Sequence, residues 1–134
     1  MPQNITRSVE DLVAEANREI RTLSVAEAQE MRGRDDVQFI DVRDVRELAE
    51  GGRIPGARHV PRGLLEFWID PASPYHKPFF AEDKTFVFYC AVSWRSALAT
   101  RAAQDMGLAP VAHFAGGFNA WKDAGGPVEP PREK

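Results

Sequence analysis

The chain carries one cysteine, Cys90, and Arg95 and Ser96 follow it after a four-residue stretch, Ala91-Val92-Ser93-Trp94. A cysteine thiolate is a nucleophile and a guanidinium holds anions, so the pair suits covalent chemistry on a small anionic substrate. A lone cysteine is more often a small core residue, and the spacing C-x4-R is weak by itself. Two features favour chemistry. Cys90 closes the strongest strand signal in the chain, residues 85–90, where the carboxyl end of a parallel strand presents ligand-binding loops. Arg95 opens a helix whose first turn holds no acidic residue, a placement that opposes the helix dipole and makes sense beside an anion. The plainer reading of Arg95 is an ion pair with a carboxylate from a neighbouring loop. Strand, tight loop and helix start together form an anion cradle, because the first N–H groups of a helix lack partners. Such a cradle favours the thiolate over the thiol.

Other elements must hold this loop in place. Residues 8–20 repeat apolar side chains at helical spacing, and Ser8 with Asp11 forms a capping-box pattern. A short strand is expected around 20–23. Ser24 with Glu27 opens a helix to about Met31, stopped by Gly33. Residues 37–42, Val-Gln-Phe-Ile-Asp-Val, suit a strand buried on both faces. Asp44 caps a short helix through Ala49, Gly51 and Gly52 end it, and Ile54-Pro55-Gly56 turns the chain toward a strand at 58–60. Residues 61–84, with four prolines and five aromatics, read as a long irregular loop pinned by its rings. The helix that Arg95 opens runs to Met106, closed by Gly107; a strand at 111–114 and a helix at 118–124 follow. Strands that alternate with helices argue an α/β domain with a largely parallel sheet.

The bulk properties agree. The chain has 134 residues, 43% of them hydrophobic and 28% charged, which suits one domain with one core. A net charge of −3 lacks the basic excess that nucleic-acid binding needs. Apolar runs are far too short for a bilayer span, and the amino terminus has no apolar leader. A single cysteine allows no internal disulfide, so a soluble protein of the reducing cytoplasm, with no nucleic-acid or membrane partner, is the expectation.

The motifs, taken in order, resemble the single-domain rhodanese family of sulfurtransferases over roughly residues 20–128. Phe39-Ile40-Asp41-Val42-Arg43-Asp44 is similar to the family's D-V-R-E/D strand end, and Gly52-Arg53-Ile54-Pro55-Gly56-Ala57 to its G-H-I-P-G-A turn. Cys90 through Ser96 resembles the active-site loop C-x-x-x-x-R-S. Residues 114–121 resemble the closing G-G-x-x-A-W helix, and residues 124–128 the segment after it. The resemblance implies a three-layer domain whose five-stranded parallel sheet is flanked by helices. Residues 1–19 would form an N-terminal helical extension and 129–134 a flexible tail. It also implies a persulfide mechanism: Cys90 takes the outer sulfur of a donor such as thiosulfate and passes it to cyanide, a thiol, or a protein sulfur acceptor.

By the same resemblance Cys90 is catalytic, and Ala91, Val92, Ser93, Trp94, Arg95 and Ser96 surround the substrate. Asp41 and Arg43 support the loops, and no metal or organic cofactor takes part. Members of the family often have glycine where Ser93 stands and a small residue where Val92 stands, and Arg53 replaces the usual histidine of the turn. His59, His76 and His113 have no ligand-like spacing. Glu66, in the long loop, is a candidate to approach Cys90. The competing functions are a cysteine phosphatase or arsenate reductase, which uses a loop one residue longer, and a non-catalytic rhodanese-like binding module.

Overall fold

The computed structural model describes residues 2–131. Five parallel strands form one sheet: β1 (Thr22–Leu23), β2 (Val37–Asp41), β3 (Arg58–His59), β4 (Thr85–Tyr89) and β5 (Val111–Phe114), in spatial order β1-β5-β4-β2-β3. Six helices flank it: α1 (Val9–Glu19), α2 (Val25–Met31), α3 (Val45–Gly51), α4 (Leu65–Ile69), α5 (Trp94–Asp105) and α6 (Gly117–Asp123). The expected α/β architecture is the one observed. Among the described residues no helix is long and apolar enough to cross a membrane.

The period-2 alternation of β4 divides the core. Phe86 and Phe88 point to one face, where Ile40, Leu65, Ile69 and Ala99 meet them under α4 and α5. Val87 and Tyr89 point to the other, where Phe39, Phe114, Phe118 and Trp121 pack beneath α2 and α6. Each fully buried aromatic contributes about 2–3 kcal/mol of transfer free energy, so β4 is fastened from both sides. Cys90, at its end, inherits that fixity.

Local signals hold where they were strong. Ser8 with Asp11 and Ser24 with Glu27 form complete capping boxes, and Asp44 with Glu47 forms a third at α3. The segment 61–84 is more ordered than its prolines suggest. It contains α4 and short 3-10 turns at Arg62–Leu64 and Pro78–Ala81, and Phe80 is buried against Phe86. Outside the family-like core, α1 packs Val13 and Ala16 against Ala97 of α5. After α6 the chain returns to the turn before β3, where Arg53 and Glu129 exchange both backbone hydrogen bonds at 3.0 and 2.7 Å. Of the expected tail, residues 132–134 lie outside the described residues.

Candidate active site

Cys90 follows the carboxyl end of the central strand, and its Sγ accepts two backbone hydrogen bonds, from Ser93 N at 3.2 Å and Ser96 N at 3.3 Å. Both donors exist because the chain reverses sharply and enters α5. Trp94 and Arg95 open that helix, so their N–H groups have no intrahelical acceptor. The reversal is made by Ser93 at φ +92°, the one non-glycine residue at positive φ among the described residues. A serine there costs about 1–2 kcal/mol, which surrounding contacts must outweigh. Cys90 itself is 1% exposed, more enclosed than a position past a strand end suggests. The base of the loop is held from behind: Phe118 N donates to Cys90 O at 2.8 Å and Asn119 N to Ala91 O at 3.1 Å. Gly117 lies so close that a Cβ would come within 2.5 Å of Cys90 O.

Arg95 has the partner that its own helix does not supply. Its guanidinium makes a bidentate pair with Glu47 of α3, Nη1 to Oε1 at 2.6 Å and Nη2 to Oε2 at 2.9 Å. The hydrogen bonds from Arg95 hold the Glu47 carboxyl below the usual carboxylate range. The pair in turn raises Arg95, with the charges of Cys90 and Asp44 adding to the effect. The carboxylate thus comes from a helix rather than a loop, and it faces a guanidinium that also senses the sulfur.

A buried polar chain leads away from the loop. Ser96 Oγ lies 3.0 Å from His113 Nδ1, and His113 Nε2 lies 2.9 Å from Asn17 Oδ1 and 3.1 Å from Thr22 Oγ1. Ser96 Oγ also donates to Ser93 O at 3.2 Å, which ties this polar chain to the reversal of the loop. Burial pushes His113 down to about 4, so the ring is neutral. His113 had shown only that it has no ligand spacing; its partners lie on β1, α1 and α5, far apart in sequence.

Asp41 and Arg43 form a second constellation below the loop. Both are buried, and Arg43 Nη2 reaches Asp41 Oδ2 at 2.7 Å and Gly52 O at 2.8 Å. Its guanidinium also stacks 4.3 Å from the Phe118 ring centroid, on the helix whose N–H groups hold the Cys90 and Ala91 carbonyls. Burial alone disfavours the Arg43 charge, and the Asp41 carboxylate outweighs it, leaving Arg43 raised.

The remaining sequence candidates disperse. Glu66 is engaged by Arg62 at 2.8 Å, and Arg53 is paired with Glu129. Val92 and Trp94 stand exposed, at 55% and 45%, beside the loop. A surface hollow of about 300 Å³ lies among Met31, Arg34, Val37 and Pro55. It sits at the amino end of β2, across the sheet from Cys90, and brings no nucleophile. Among the described residues no three His, Cys, Asp or Glu side chains gather as a metal requires.

Comparison with known proteins places this geometry. The family model of the rhodanese-like domain matches residues 24–124. The human thiosulfate:glutathione sulfurtransferase is 32% identical over 107 residues, spanning 75% of this chain and 91% of that protein. Among solved structures, a protein of unknown function from Rhodopseudomonas palustris, described as a possible tyrosine phosphatase, is 58% identical. It superposes with a TM-score of 0.94 over 96% of this chain and 99% of its own. The polysulfide-sulfur transferase of Wolinella succinogenes is 26% identical with a TM-score of 0.68, covering 89% of this chain and 85% of that one.

Proposed function

The chain belongs to the rhodanese-like domain family, a superfamily of sulfurtransferases, and on that premise we propose that it moves a sulfane sulfur from a donor such as thiosulfate to a thiophilic acceptor through a persulfide on Cys90. The observation that carries this reading is the convergence of Ser93 N and Ser96 N on Cys90 Sγ.

The Cys90 thiolate attacks the outer sulfur of thiosulfate. A new S–S bond forms, the old one breaks, and sulfite leaves with the electron pair. Cys90 then bears a terminal sulfur with negative charge, which the N–H groups of the short loop stabilise at hydrogen-bond distance. Cyanide or a thiolate attacks that terminal sulfur, and thiocyanate or an acceptor persulfide departs as the Cys90 thiolate returns. Electrons and charge balance in both steps, so the reaction needs no external oxidant or reductant. Small thiols, and a cysteine of a protein acceptor, belong to the same acceptor class. A free thiol with this task suits a reducing compartment such as the cytoplasm.

The phosphatase description of the Rhodopseudomonas neighbour offers a second reading. Two features weigh against it here. Four residues separate Cys90 from Arg95, and a ring that short gathers its donors around one sulfur atom rather than three phosphoryl oxygens. The guanidinium that would clamp a phosphoryl group is also occupied by Glu47. A non-catalytic binding module, the third reading, would have no use for a cysteine with two donors on its sulfur.

Intact-mass spectrometry tests the proposal. Incubation with thiosulfate, without reductant, should add the mass of one sulfur, and cyanide should remove it as thiocyanate. Cys90→Ser should do neither. Efficient p-nitrophenyl phosphate hydrolysis by the unmodified protein, lost in Cys90→Ser, would overturn the assignment.

A further inference from the structure

His113 is a buried ring to which the sulfur-transfer steps give no task. It shares with Val111 the face of β5 that lies under α5, and its register partner on β4 is Phe88. An apolar side chain would fill that space without the cost of burying a ring that needs hydrogen-bond partners. The imidazole instead has partners at both nitrogens, and they lead in opposite directions. Nδ1 lies 3.0 Å from Ser96 Oγ, which also donates to Ser93 O at 3.2 Å. Ser93 and Ser96 are the residues whose N–H groups point at Cys90 Sγ. Nε2 meets Asn17 Oδ1 at 2.9 Å and Thr22 Oγ1 at 3.1 Å. Asn17 lies on α1, outside the family-like core. That helix is itself held along α5. Val13 and Ala16 pack on Ala97, Arg101 Nη1 reaches Glu15 Oε1 at 4.0 Å, and Gln104 Nε2 donates to Glu19 O at 2.7 Å. The polar chain that starts at the sulfur therefore ends on a fixed helix.

We propose that Asn17 and His113 are positioning residues of the Cys90 site, through which α1 sets the first turn of α5 and with it the N–H donors on the sulfur. The role rests on the sulfur-transfer reading and deepens it. The ring is neutral, since burial pushes it down to about 4, so it acts by place and not by charge. Held through the Ser96 hydroxyl, the N–H groups of Ser93 and Ser96 stabilise Cys90 in its anionic states. These are the thiolate that attacks the donor and the thiolate that departs when the persulfide sulfur is passed on.

The acidity of Cys90 reports this grip. Cys90 is the only cysteine, so thiolate ultraviolet absorbance against pH, with Cys90→Ser subtracted, reads its midpoint alone. One N–H donor lost from a thiolate is worth about one pH unit. His113→Leu, which breaks the chain, should raise the midpoint by about that amount. Asn17→Ala, which frees one side of the ring and leaves Thr22, should raise it by about half a unit. The double variant should go no higher than His113→Leu, because Asn17 acts through His113. The Arg95–Glu47 pair is common to all of these proteins, so no charge beside the sulfur changes with them. Persulfide formation from thiosulfate, followed by intact mass below the midpoint, should slow about threefold in Asn17→Ala and recover at high pH. Phe80→Leu, beside Phe86 near the start of β4, disturbs the core without touching the chain and should leave the midpoint where it is. An unmoved midpoint in His113→Leu and Asn17→Ala, an equal shift in Phe80→Leu, or a double variant whose shift is the sum of the two, overturns the positioning role. Should His113→Leu not fold, Asn17→Ala and Thr22→Val decide the matter, since both residues are exposed. A parent protein that takes up no sulfur from thiosulfate, whatever its midpoint, overturns the sulfur-transfer reading instead.

Discussion

Acidification should act on this protein through His113. The ring is 1% exposed, and burial lowers it from 6.5 to about 4. The folded state holds it neutral, while the unfolded chain protonates it from about pH 6.5 downward. The unfolded state therefore binds the extra proton. The contribution of this group to stability is complete above about pH 6.5 and is lost as the pH falls toward 4. With one pKa unit equal to about 1.4 kcal/mol, the loss between pH 7.5 and 4.5 is about 2.5 kcal/mol. Three tryptophans, of which Trp121 is fully buried, provide the fluorescence signal. Urea unfolding at the two pH values gives the difference directly. The control is His113→Asn, which cannot titrate in this range. It should lower stability at pH 7.5, because Asn17, Thr22 and Ser96 lose their shared partner, and it should flatten the pH dependence. An undiminished slope in His113→Asn would refute the reasoning, since the acid sensitivity would then belong to other groups.

Two other substitutions probe the frame of the loop. Asp41→Ala should cost about 3–5 kcal/mol in urea unfolding, because it strands Arg43 as a buried, unpaired charge; a loss below about 1 kcal/mol would mean that Gly52 and the Phe118 ring suffice to hold the guanidinium. Ser93→Gly should raise stability by about 0.5–1 kcal/mol, the relief of positive φ minus the extra entropy of glycine in the unfolded chain. A destabilised Ser93→Gly, measured by thermal unfolding, would show that the serine side chain outweighs the strain.

The parts of this architecture that could be read in the chain are those set by near neighbours. The β-rich run 85–89 alternates its side chains between two cores and ends at Cys90, so strand, loop and helix start were visible together. Capping boxes at Ser8 and Ser24 span four residues each and were equally legible. Ser93 stood out through the family resemblance, whose members often carry glycine there, and its φ of +92° shows why glycine suits the position. What escaped was set by the sheet. Glu47 meets Arg95 because β2 and β4 are adjacent and parallel, which carries α3 and α5 to one end; nothing at the 48-residue separation announces it. His113 looked like a lone polar residue on an apolar strand, since Asn17, Thr22 and Ser96 come from three other elements. α4 was hidden because five residues between proline-rich turns show too little periodicity to register as a helix.

The fastening of the Cys90 loop bears on how such a site changes over generations. The carbonyls of Cys90 and Ala91 are tied to α6, Ser93 and Ser96 are tied to the sulfur, and Arg95 is tied to Glu47. Substitution at most of these positions disturbs the backbone that holds the cysteine. Val92 and Trp94 are the exceptions: both side chains are exposed, in a loop whose two flanks are already anchored. Either side chain can become larger, smaller or charged without loosening that backbone, so the face the loop shows to solvent is adjustable while the frame around the sulfur stays as it is.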